Sequence, residues 1–117
     1  MTEELRTPPE NIRAAVAALW EKFSENLFGR LALLEQASRA LREGCLSAEL
    51  RQEAAMEAHK LAGSLGTFGL AEGSKLAGEM ESILETGGPQ NQTQSDRLLE
   101  LVRSLRQELE RGPSRPA

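Results

Sequence analysis

From residue 8 to residue 42, apolar side chains recur at steps of three and four: Ile12, Val16, Leu19, Trp20, Phe23, Leu27, Leu31, Leu34 and Leu41. That is the period of a helix with one buried face. Pro8 and Pro9 suit its start, where the first N–H groups have no intrahelical acceptor to lose. Gly44 supplies a stop just past the helix end. Gly29 interrupts the run, and a glycine inside a helix costs about 1 kcal/mol relative to alanine. The segment therefore predicts either one very long helix or two helices meeting near Phe28-Gly29.

Ser47 is a favourable N-cap for a second helix, with Glu49 in its first turn. Leu50, Ala54, Ala58, Leu61 and Leu65 form its apolar stripe, and Gly66-Thr67-Phe68-Gly69 ends it. A third helix is predicted over residues 70–86, with Leu76, Ala77, Met80, Ile83 and Leu84 facing inward. Gly87-Gly88-Pro89 breaks that pattern, and polar residues 90–94 read as a loop. Thr93 with Asp96, or Ser95 alone, is the expected cap of a last helix carrying Leu98, Leu101, Val102, Leu105 and Leu109. Gly112-Pro113 ends it near Arg111. Four amphipathic helices with short connections predict an all-α fold, an antiparallel four-helix bundle with a long or bent first helix. The expected organisation is one domain over residues 1–117, with the bundle at about 9–111 and both ends flexible.

Composition narrows the class. The three Phe, one Trp and absent Tyr favour a core of Leu, Ala, Met and Val over an aromatic-rich β-sandwich. A net charge of −4 lacks the basic footprint of a nucleic-acid binder. Cys45, the single cysteine, cannot form a disulfide within the chain and suits a reducing compartment. One His and one Cys cannot build a zinc cage of the usual kind. No apolar run approaches the roughly 18 residues of a membrane span, and Met1-Thr2-Glu3-Glu4 is too acidic to open a secretory signal. A cytoplasmic monomer without nucleic-acid or membrane partners is expected.

On a helical wheel of about 100° per residue, the stripe Ala54, Ala58, Leu61 and Leu65 points inward and His59 points roughly 140° away. The imidazole is thus expected to face solvent. Its neighbours one turn either way are Ala55, Met56, Ala62, Gly63 and Gly66, all small except Met56. A low surface around an exposed nucleophile would let another protein approach closely. The competing reading is an ordinary surface histidine, with the Ala and Gly residues serving close helix packing.

The segment Ala58-His59-Lys60-Leu61-Ala62-Gly63-Ser64-Leu65-Gly66-Thr67-Phe68-Gly69 resembles the signature of histidine-containing phosphotransfer (HPt) domains. His59, Leu61, Gly63, Ser64 and Gly69 match its positions, and Leu70 to Leu84 resembles the family's next helix. The resemblance implies a phospho-accepting His59 that takes a phosphoryl group from an aspartate of a response-regulator receiver domain and passes it to another receiver. It also implies that Mg²⁺ sits on the receiver, that this domain needs no cofactor or metal, and that it is a carrier rather than an enzyme. Where many members have Lys or Arg three residues after the histidine, this chain has Ala62. Lys60 is the nearest base, about 100° around the helix, and its competing reading is a solvated surface lysine. The position matching the family's ring-contacting polar residue is Glu81, with Glu79 as competitor. Two rival readings stand beside this one. In the first, a chemotaxis-type histidine kinase phosphorylates the domain directly; in the second, the bundle is an interaction module that is never phosphorylated. Thiol catalysis at Cys45 lacks a neighbouring His or second Cys.

Overall fold

The computed structural model describes residues 8–85 and 91–112. It contains α1 (Pro8–Arg42), α2 (Ala48–Thr67), α3 (Ala71–Glu85) and α4 (Gln92–Arg111). No strand occurs among the described residues. The break expected at Gly87-Gly88-Pro89 and the ends at 1–7 and 113–117 lie outside them.

The helix boundaries follow from local chemistry. Ser47 has extended backbone, and its hydroxyl accepts the Leu50 N–H at 3.0 Å, satisfying one of the unpaired donors of the first turn. At the far end of α2, Phe68 N–H donates to the Ser64 carbonyl and Leu70 N–H to the Leu65 carbonyl. Gly69 adopts φ +79°, a left-handed conformation that costs glycine little. The chain thereby reverses into α3 within a few residues. The start of α4 corrects the sequence reading. Its N-cap is Asn91, not Thr93 or Ser95; the Asn91 side chain accepts the Gln94 N–H at 2.9 Å. Asn caps as well as Ser does, so the helix begins further upstream and absorbs residues expected in the loop.

Each helix supplies one buried face. Leu27, Leu31, Leu34 and Ala37 of α1 meet Ala54, Ala58, Leu61 and Leu65 of α2, Ala77, Met80, Ile83 and Leu84 of α3, and Leu98, Leu101, Leu105 and Leu109 of α4. Burying one such leucine stabilises the fold by about 1.5–3 kcal/mol. Leu41, Leu50 and Leu76, expected inward, are only half-buried at the edges of this core. Every helix packs on two neighbours: α1 on α2 and α4, and α3 on α2 and α4. The bundle is thus four-cornered, with the α2–α3 face opposite the α1–α4 face. The α2–α3 pair is the most extensive. It is tied by Ser74 Oγ donating to the Ala62 carbonyl at 2.8 Å and by Arg51 Nη1 donating to the Leu84 carbonyl at 2.7 Å.

α1 is a single helix that runs unbroken through Gly29. Leu27 and Leu31 anchor it to the core on both sides of that glycine. At 35 residues it is about 52 Å long, most of the molecule's 61 Å longest dimension. Its last anchor toward the N-terminus is Trp20, which stacks edge-on to Phe68 with ring centroids 5.2 Å apart. Ile12 stays exposed where the helix outruns its partners, and Leu19 and Phe23, flanking Trp20, are exposed although α1 is anchored there.

Candidate functional site

His59 lies in α2, four residues before Gly63. Its side chain is 73% exposed, in keeping with the wheel. The ring is nevertheless fixed. Nδ1 lies 3.0 Å from Glu81 Oε2 of α3, and the Glu81 side chain is mostly covered by its surroundings. A carboxylate there accepts the Nδ1–H bond and selects the tautomer that leaves the Nε2 lone pair available. The close α2–α3 contact makes this reach possible, with Ser74 tying the two helices one turn from the histidine.

Glu79, the competitor for this position, is engaged elsewhere. Arg97 of α4 grips it through two bonds of 2.7 and 2.8 Å. The hydrogen bonds from Arg97 hold the Glu79 carboxyl below its ordinary value of 4.5.

A shallow groove of about 280 Å³ surrounds the imidazole, lined by Ala55, Met56, His59, Lys60, Glu81 and Glu85. Two of the expected small neighbours contribute little open surface. Ala55 is buried and Ala62 half-buried, because α3 packs on that side of α2. The open ground beside the ring is Met56, 58% exposed, together with Gly63 and Gly66. A Cβ placed on Gly63 would meet nothing within 4 Å, so packing within the molecule does not require glycine there.

The other residues matched by the motif scatter. Leu61 is fully buried core. Gly69 makes the turn. Ser64 is half-buried, and its carbonyl accepts the Phe68 N–H at the helix end. Lys60 borders the groove, but its Nζ lies 3.8 Å from Glu57 Oε2. Glu57 is also held by Arg30 of α1 at 2.7 Å, so Lys60 leans toward the α1 side, away from Glu81. Sequence reasoning missed the Arg30–Glu57 pair and the Ser74 tie, since both depend on which helices become neighbours. Among the described residues, no group of three His, Cys, Asp or Glu side chains could hold a metal ion. No described helix is long and apolar enough to cross a membrane.

A protein-family model described as the Hpt domain matches residues 18–112, spanning most of α1 and all of α2, α3 and α4. No curated protein and no solved structure matches the chain.

Proposed function

The chain belongs to the Hpt domain family, whose members carry out histidine phosphotransfer in phosphorelays, and on that premise we propose that His59 is its phospho-acceptor. The observation that carries the proposal is the Glu81–His59 pair: one ring nitrogen is held by a carboxylate while the ring itself stays open to a partner. The donor is an aspartyl phosphate on a receiver domain. Nε2 attacks phosphorus, the N–P bond forms, and the P–O bond to the aspartate breaks, returning a carboxylate to the receiver. The phosphorylated ring keeps its Nδ1 proton and a positive charge, which Glu81 stabilises through a charge-assisted hydrogen bond. Transfer to a second receiver reverses these steps. In such in-line displacement, catalysis is largely alignment and charge neutralisation. On this reading the receiver contributes its aspartate and Mg²⁺, and this domain acts as carrier. Lys60 has its counter-ion at Glu57 and plays at most an electrostatic part in screening the phosphoryl group.

The test is incubation of the chain with a phosphorylated receiver. An acid-labile, alkali-stable phosphoryl group should appear on the wild type and be absent from His59→Gln. Labelling by a histidine kinase with no receiver present would favour the kinase-fed alternative. Failure to label with either donor would leave an interaction module.

A further inference from the structure

The opposite face of the bundle has its own chemistry. The groove between α1 and α4 has a volume of about 390 Å³ and is lined from α1 by Glu35, Ser38, Arg39 and Arg42, and from α4 by Leu99, Val102, Arg103 and Arg106. Each helix thus offers positions i, i+3, i+4 and i+7, the residues that share one helical face. Val102 and half-buried Leu99 make an apolar floor, and arginines stand along both walls.

Three of those arginines differ from the rest. Arg30, Arg51, Arg97, Arg106 and Arg111 each hold a carboxylate or a carbonyl. Among arginines with described side chains, those without a hydrogen bond or ion pair are Arg39, Arg42 and Arg103, and all three line this groove. The carboxylates nearby form no direct ion pair with them, although the charge of Arg39 is felt at Glu35. Glu35 is taken by Arg106 at 2.6 and 3.0 Å, and Glu43 lines a neighbouring hollow with Arg39 and Arg42 without an ion pair to either. Three guanidiniums without a direct ion pair thus share one groove with a single carboxylate, Glu35, which Arg106 already grips, in a chain of net charge −4. Guanidinium forks match carboxylates in two-point geometry.

We propose that the α1–α4 groove is a docking site for an acidic, amphipathic helix of a partner protein. Carboxylates on that helix would meet Arg39, Arg42 and Arg103, and its apolar ridge would rest on Leu99 and Val102. The groove is open along its length, whereas small-molecule sites enclose most of their ligand, so a helix lying between two helices suits its shape. The α2–α3 face carrying His59 points the other way, so this partner and a receiver can bind at once. The arrangement would tether the carrier to a particular assembly without occupying the transfer face.

The probe is a synthetic helical peptide with a stripe of Glu beside a row of Leu, titrated into the full ¹⁵N-labelled chain. Amide shifts are expected at Arg39, Arg42, Leu99 and Arg103 and not around His59, with affinity falling as salt is raised. The triple variant Arg39→Gln/Arg42→Gln/Arg103→Gln should weaken binding by roughly tenfold or more while accepting phosphoryl groups at the wild-type rate. If the triple variant fails to melt cooperatively, Arg103→Gln alone should still weaken binding measurably. The proposal is overturned if the variants bind the peptide as the wild type does. It is equally overturned if a Gln-for-Glu peptide binds as tightly, or if inorganic phosphate alone saturates the same amides and displaces the peptide, which would mark a small-anion site.

Discussion

The carboxylate 3.0 Å from Nδ1 of His59 has two separable effects, one from accepting the Nδ1–H hydrogen bond and one from its charge. Glu81→Gln can keep an oxygen near Nδ1 and so the tautomer, but it loses the charge that stabilises the phosphorylated ring. Glu81→Ala loses both. Hydrogen bonds to charged groups are worth about 1.5–3 kcal/mol, so Glu81→Ala should slow phosphoryl transfer at least about tenfold, with Glu81→Gln in between. Both variants should melt within about 0.5 kcal/mol of wild type, since the pair lies at the surface. Equal transfer rates in rapid-quench labelling would make Glu81 a bystander. His59 and Glu81 were legible in the sequence, one from the motif and the wheel, the other from its matching position in the next helix. The choice between Glu81 and Glu79 was less so. It is decided by Arg97, on a helix whose register against α3 no pattern within α3 reveals.

Gly63 and Gly73 look alike in the sequence, each a glycine within a helix, yet they sit in opposite surroundings. A side chain at Gly63 would project into open space, whereas a Cβ at Gly73 would lie 3.1 Å from Leu65 Cδ1 and 3.7 Å from Leu105 Cδ1. Gly73 is therefore the packing glycine, letting α3 approach α2 and α4. Gly73→Val should destabilise the bundle by about 1–3 kcal/mol through overpacking. Gly63→Ala should be neutral or stabilising, by up to about 1 kcal/mol, because alanine favours helix. Gly63→Gln should also fold but obstruct a receiver, and a displacement of about 1 Å at a reacting centre can cost on the order of 100-fold in rate. Thermal melts alongside transfer assays separate the cases. An unfolded Gly63→Gln would assign that residue to packing, and wild-type transfer would mean that receivers dock elsewhere. At this scale the sequence conveyed helix number, order and core stripes through periodicity. It misled at the start of α4, where Asn91 caps instead of Thr93 or Ser95, because several capping residues stand close together and only the backbone shows which is extended.

Closure of the whole molecule joins residues far apart in the chain, and there periodicity is silent. Whether α1 bends at Gly29 depends on what lies beside it, and the helix stays continuous because the core holds both flanks. The clasp between α1 and α4 is Glu35 with Arg106, 71 residues apart. The hydrogen bonds from Arg106, aided by its charge and by that of Arg39, outweigh partial burial and hold the Glu35 carboxyl below its ordinary 4.5. The folded state consequently binds that proton less readily than the unfolded chain. The clasp contributes fully above a pH of about 4.5 and loses its contribution as pH falls through the lowered folded-state value. Acid should therefore destabilise the wild type more than Glu35→Gln, in which nothing at this position titrates. The melting temperature of the wild type should exceed that of Glu35→Gln at neutral pH, and the gap should narrow by about pH 3. Glu79→Gln serves as the comparison. Its pair with Arg97 is more exposed, and such surface pairs contribute about 0–1 kcal/mol, so its gap should be the smaller. A constant difference between wild type and Glu35→Gln across this range would mean that the clasp holds α1 to α4 by side-chain packing, including the Arg106 guanidinium over the Phe28 ring, and not by the charge on Glu35.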